Sequence, residues 1–296
     1  MKHIASPSQR SAVIAATTAY VIWGLMPLYW RIFAGMSPFV VFLHRCLWAF
    51  PFLFLFMILF SRLQKKWLIP EWIAFDRKRF PWLCLSALLI GGNWWIYIYG
   101  VETHQVLEMS LGYFFSPLLS AAMGVVFLKE RLTRNQWVGV AAVISGVCVY
   151  SFSAGRIPVM AIGLALTFSF YGLIRKLVNV HPLTALSTET FVLMTIAVIY
   201  AVVSPPATLF GQGWAQHQNL LVLGGALTAV PLLWFAVGVR GLSMTTMGML
   251  NYISPTGKFL IAVLVFGEVV EPSVLAAFFL IWSGIAVYLV ATYQKR

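Results

Sequence analysis

The sequence predicts an all-α integral membrane protein: ten transmembrane helices in two inverted five-helix repeats around a central cavity. Three observations carry that expectation. Hydrophobic residues make up 61% of the chain and charged residues only 9%, far below the ~25% charged content of a water-soluble domain. The apolar residues fall into runs long enough to cross a bilayer, which takes roughly 20 residues each. The chain also resembles itself at a fixed offset of 138 residues. Ser116-Pro117 recurs as Ser254-Pro255, Glu130 as Glu268 and Gly100 as Gly238, and the string from Ser145 to Tyr150 recurs from Ser283 to Tyr288. No gap is needed across that stretch. Internal duplication of this kind marks secondary transporters, whose substrate site lies at the repeat interface.

The ten spans are expected at Ser11–Trp30, Phe39–Phe60, Trp82–Val101, Met109–Leu128, Gln136–Phe152, Pro158–Ile174, Ala185–Val203, Leu220–Val239, Met244–Phe266 and Val274–Tyr293. The first follows a short basic leader, Met1 to Arg10. Its length and the lack of a small-residue cleavage site before Arg31 favour an uncleaved span over a signal peptide. The loop from Ser61 to Phe80 mixes Lys and Arg with Trp67, Trp72 and Phe75, as expected of a segment resting on anionic lipid. The repeat boundary falls between residues 152 and 153, so that residues 1–152 and 153–296 each hold five spans.

Basic residues set the orientation. Lys2, Arg10, Arg62, Lys65, Lys66, Arg77, Lys78, Arg79, Lys129, Arg131, Arg134, Arg175, Lys176, Arg240, Lys295 and Arg296 fall in loops or ends on one side. Only Arg31 and Arg156 fall on the other. Both termini are therefore expected to be cytoplasmic. Five is an odd number, so the second repeat must enter the membrane upside down. The basic loop Lys129-Glu130-Arg131 then has an acidic, external mate around Glu268 and Glu271. The formal net charge of +12 comes from these loops, and no nucleic-acid partner is expected.

Four ionisable groups lie inside spans: His44, Arg45, Glu189 and Lys258. Such groups cost roughly 2.5–3.5 kcal/mol on insertion scales and are functional candidates by default. His44, Arg45 and Glu189 are candidates for charge coupling. On a looser offset of 144, Arg45 is equivalent to Glu189, although equivalence does not make the two adjacent. Snorkelling to the headgroups is the alternative for Arg45. Gly112, Ser116, Ser120 and Gly124 form a small-residue face in the fourth span, and their mates in the ninth include Lys258. Lys258 is then expected to point into a polar cavity, where it could hold an anionic group. Pro117, Pro231 and Pro255 are expected helix kinks, because a proline inside a helix removes a backbone donor. Asn93 and Asn251 are polar at mid-depth. With Lys258 and the aromatic residues Trp23, Trp94, Tyr113, Tyr171 and Trp234, they are the candidate lining of a substrate cavity.

No cofactor or metal site is expected. Cys46, Cys84 and Cys148 lack ligand spacing, and Asp76 is the single aspartate. No nucleotide-binding motif appears. The rivals are an intramembrane enzyme, for which no paired reactive groups are found, and a membrane scaffold or sensor, which gives no reason for an inverted duplication. The expected partners are a small-molecule substrate and the lipid bilayer, with a homodimer left open.

Several strings resemble the RarD branch of the drug/metabolite transporter superfamily, built from the EamA repeat. They are Tyr20-Val-Ile-Trp-Gly-Leu-Met-Pro27, His44-Arg-Cys-Leu-Trp48, Ile90-Gly-Gly-Asn-Trp94, Leu107 to Pro117, Phe170-Tyr-Gly-Leu-Ile-Arg-Lys176, Val230-Pro231-Leu232 and Asn251-Tyr-Ile-Ser-Pro-Thr256. The resemblance spans essentially the whole chain. It implies a ten-helix permease of the bacterial inner membrane, expected to export small metabolites or drug-like compounds. The family is associated by name with chloramphenicol, and its physiological substrate does not transfer. Lys258 departs from the apolar residue usual at that position.

Overall fold

The computed structural model describes residues 7–33, 35–63, 77–102, 106–154, 159–205, 210–211, 213–265 and 271–294. The centre of the basic loop (Lys65, Lys66, Trp67, Trp72, Phe75 and Asp76), Arg156 and Glu268 lie outside these residues. Among them the chain is all-helical: α1 Gln9–Trp30, α2 Pro38–Leu63, α3 Phe80–Glu102, α4 Val106–Leu128, α5 Arg134–Ala154, α6 Val159–Val178, α7 Pro182–Val203, α8 Trp214–Gly241, α9 Met244–Asn251, α10 Ile253–Leu264 and α11 Pro272–Gln294. A 3₁₀ turn, Arg31–Phe33, follows α1. Seven of these helices are long and apolar enough to cross a membrane.

The helices follow the predicted apolar runs and overshoot most of them by a few residues, because polar caps extend a helix past its apolar stretch. Ser8 caps α1 by accepting from the Ser11 amide at 3.2 Å. His181 caps α7, with Pro182 in the first turn, where its missing N–H costs nothing. Lys129 and Asn179 adopt left-handed backbone (φ 54° and 45°) just past α4 and α6, ending each helix.

The predicted ninth span is divided at Tyr252 into α9 and α10. The cause is Pro255, which offers no N–H to the Asn251 carbonyl and crowds it. The helices carrying Pro117 and Pro231 run on without a break. One missing hydrogen bond in a well-packed helix is tolerated.

Packing runs through close helix pairs: α5 with α11, α4 with α9, α2 with α7, α1 with α8, α3 with α6, α1 with α10 and α4 with α6. Small residues permit the approach. A Cβ on Gly139 would lie 2.7 Å from the Gly284 carbonyl oxygen, and one on Gly146 would lie 2.8 Å from that of Ala277. The contacting residue numbers rise on α5 as they fall on α11, so these two helices are antiparallel. Gly24 of α1 meets Ser254 and Gly257 of α10 in the same way. The small-residue face of α4 packs on α6: Gly112 faces Ala161, and Ser169 donates to the Ser116 carbonyl at 3.0 Å.

Large apolar side chains cover the outside. Phe152, Val202, Leu264 and Phe279 are each at least 70% exposed. In water that coat would be an aggregation surface; in lipid it faces its solvent.

Candidate functional site

One cavity opens among α1, α2, α3, α4, α6, α9 and α10. Most of these helices contribute residues at helical spacing. Trp23, Met26 and Pro27 come from α1, and Ile90, Asn93, Trp94 and Tyr97 from α3. Spacings of three and four put such residues on one face. Arg45 comes from α2, Gly112, Tyr113 and Ser116 from α4, and Leu164 and Phe168 from α6. Asn251 ends α9, and Ser254 and Lys258 begin α10. The break at Tyr252 re-aims the chain between Asn251 and Ser254, and the Gly24–Gly257 crossing holds α10 against α1.

Several polar atoms of the lining are tied to protein. Asn93 donates from Nδ2 to the Leu164 carbonyl at 2.8 Å and to Thr167 Oγ1 at 2.9 Å, fixing α3 to α6. Asn251 donates to Ser116 Oγ at 3.4 Å. Arg45 donates from Nε to Thr228 Oγ1 at 3.1 Å, and its guanidinium lies 4.6 Å from the Trp94 ring centroid. Arg45 therefore faces protein and the cavity instead of snorkelling to the headgroups. The Lys258 ammonium lies 3.3 Å from the centroid of the Tyr113 ring and 5.9 Å from that of Tyr97.

Of the eight predicted lining residues, Trp23, Asn93, Trp94, Tyr113, Asn251 and Lys258 line this cavity, and Tyr171 and Trp234 do not. Tyr171 is fully buried, stacked on Phe235 at 5.7 Å, and its hydroxyl donates to Glu189 Oε2 at 3.3 Å. Trp234 lies on the outer surface of α8, 36% exposed. Both were placed by residue type, which does not reveal which face of a helix turns inward.

The predicted charge-coupling residues are dispersed. Glu189 pairs with Arg175 at 3.2 Å and accepts from Ser86 and Tyr171, so Arg45 is not its partner. Arg175, expected in a cytoplasmic loop, is instead buried in the last turn of α6. The apolar run ends before the helix does, and the side chain reaches α7, where it also donates to the Pro182 carbonyl at 3.5 Å. His44 is buried and stacked on Trp214 at 4.7 Å, away from the cavity lining.

A second polar device lies at the end of α4. Glu130 accepts from the Met244 amide at 2.6 Å and from the Thr245 amide and hydroxyl at 3.1 and 2.6 Å. A carboxylate there satisfies orphan donors and the helix dipole of α9. A Cβ on Gly124 would meet that carboxylate at 2.6 Å, so glycine makes room for it. Sequence reasoning singled out Glu130 only as a repeat position. It missed Tyr97, whose signal was its spacing of four from Asn93.

Among the described residues no three His, Cys, Asp or Glu side chains gather. The arrangement is that of an amphipathic binding cavity: aromatic walls, a few fixed amides and hydroxyls, and two cations.

The profile of the EamA-like transporter family matches residues 10–152. Protein RarD of Escherichia coli is 36% identical over 290 residues, covering 97% of each chain. The chloramphenicol-sensitive protein RarD of Pseudomonas aeruginosa is 28% identical over 92% of this chain and 91% of that one. A solved crystal structure, 17% identical, superimposes with a TM-score of 0.75 over 98% of this chain and all of the other, which extends the likeness in fold across both halves. The chain is thus a multi-pass membrane transporter and belongs to the RarD group of the EamA-like transporter family.

Proposed function

We propose that the protein is a secondary transporter that exports a small metabolite or drug-like molecule across the bacterial inner membrane by alternating access. Two inverted five-helix repeats meet at the cavity, ten spans cross the bilayer, and both termini are cytoplasmic. The observation that carries the reading is the cavity itself, to which residues on both sides of position 152 contribute polar groups amid apolar walls.

The helix pairs support the repeat. The 138-residue offset converts the Gly139–Gly284 contact into the Gly146–Ala277 contact. It also relates Phe114 to Tyr252, and the Tyr252 hydroxyl donates to the Phe114 carbonyl at 3.0 Å. In an inverted repeat, mates that touch would lie on the pseudo-two-fold axis. The Glu130 latch on α9 would be one of the contacts that alternating access breaks and remakes.

The test is counterflow in proteoliposomes of purified protein, with chloramphenicol and a panel of small metabolites. A carrier accelerates labelled uptake when unlabelled compound is loaded inside. Saturable counterflow of at least one compound is expected. Its absence across the panel, with correctly folded protein, would defeat the transport mechanism proposed here.

A further inference from the structure

We propose that the substrate of this cavity is an organic anion, whose acidic group is held by Lys258 and whose apolar body lies against Trp23, Trp94 and Phe168. This inference rests on the transporter reading above and narrows its substrate class.

The described lining contains two cationic side chains, Arg45 and Lys258, and no Asp or Glu. Lys258 is the informative one. Its ammonium sits in the second turn of α10, well inside the predicted span, too deep to reach headgroups easily. It forms no hydrogen bond and no ion pair among the described residues. Its contacts are the faces of Tyr113 at 3.3 Å and Tyr97 at 5.9 Å. A ring face attracts a cation but satisfies none of its three N–H donors. Those donors are left for whatever enters the cavity. A charge at this depth is costly to insert and is retained where it faces a pathway or ligand. An acidic group on the substrate supplies what the protein does not: a charge-assisted acceptor. Arg45, whose guanidinium covers Trp94 in the same cavity, adds a second positive charge to the field an entering anion meets. The aromatic residues around both cations suit an apolar or aromatic body. The Nδ2 donors of Asn93 and Asn251 already bond to protein, so they are less free to hold an acidic group.

The experiment uses the full chain, purified in detergent, and calorimetric titration with three near-isosteric probes. These are 3-phenylpropionate (anion), 3-phenylpropanamide (neutral) and 3-phenylpropylamine (cation). The carboxylate is expected to bind about tenfold or more tightly than the amide, the scale of one charge-assisted hydrogen bond, and the amine weakest of all. Lys258→Met keeps side-chain length and apolar packing, so its unfolding temperature without ligand should match or exceed that of the natural protein. It should bind the carboxylate no better than the amide, while Lys258→Arg should retain the preference. Three outcomes overturn the proposal: the amide or amine binding as tightly as the carboxylate, undiminished carboxylate binding by folded Lys258→Met, or no binding by any probe. Counterflow of the compound panel, run in parallel, keeps the two readings apart. If any compound shows saturable counterflow while the carboxylate preference is absent, the protein is a transporter without an anion site.

Discussion

Cutting Glu189 from its buried cluster should unfold the protein without altering what the cavity recognises. The Glu189 side chain is 2% exposed and that of Arg175 is 4% exposed, with 3.2 Å between them. Replacing Glu189 with leucine leaves a buried guanidinium whose remaining described contact is the Pro182 carbonyl at 3.5 Å. Breaking a buried pair from one side costs about 3–5 kcal/mol. The Tyr171 hydroxyl also loses its acceptor, worth about 1 kcal/mol. Ser86 loses less, because it still donates to the Leu83 carbonyl at 3.1 Å. Removing both charges, as Arg175→Met with Glu189→Leu, should cost no more than about 1–2 kcal/mol, since a buried ion pair and apolar residues of similar volume are often close in stability. Glu189→Gln should fall between, because it preserves the acceptor for Ser86 and Tyr171 and loses only the charge. The assay is equilibrium unfolding of purified protein in mixed micelles, set out as a double-mutant cycle. Glu189→Leu is expected to be about 3 kcal/mol less stable than the double variant, with unchanged KM for transport by the folded fraction, because Glu189 does not line the cavity. The reasoning is refuted if Glu189→Leu is as stable as the double variant. It is equally refuted if Glu189→Gln keeps full stability and loses coupled flux, which would return Glu189 to a charge-coupling role.

Two further outcomes are expected. Gly284→Ala should cost about 1–3 kcal/mol, because the new Cβ would sit 2.6 Å from the Gly139 carbonyl oxygen and 2.9 Å from the Val143 amide, backbone atoms that move only if α5 and α11 separate. Natural stability in the same unfolding assay would show that this crossing is looser than described. Reporter fusions at residue 65 and at the C-terminus should read cytoplasmic, and those at Gln212 and Glu271 external. A cytoplasmic signal at Gln212 would remove the inverted insertion of the second half.

The sequence by itself determined that the chain lives in lipid and where most helices run. Both follow from local quantities. Transfer of a side chain into hydrocarbon depends on that side chain, and a run such as Leu220–Val239 is readable without knowing its neighbours. The break near Ser254-Pro255 was readable as well, because a proline acts on the carbonyl four residues behind it. The consequence differed among prolines: Pro255 divides a helix and Pro117 does not, since the surrounding packing decides whether one lost hydrogen bond opens a helix.

Only the tertiary structure decided which polar groups meet. Arg175 and Glu189 are fourteen residues apart on successive helices, and nothing local distinguishes Arg175 from Lys176 beside it. One turns inward to a carboxylate. The other donates from Nζ to the Val239 carbonyl at 2.8 Å at the end of α8. A rotation of about 100° per residue separates them, and which direction is inward depends on where α7 and α8 cross. The same rotation placed Tyr171 in the core and Trp234 against lipid, although residue type made both look like cavity aromatics. Lys258 was legible as an anomaly because a charge in an apolar run is locally costly. Its resting place on the Tyr113 ring was not, because that contact is made across two helices by the approach of α4 to the α9–α10 break.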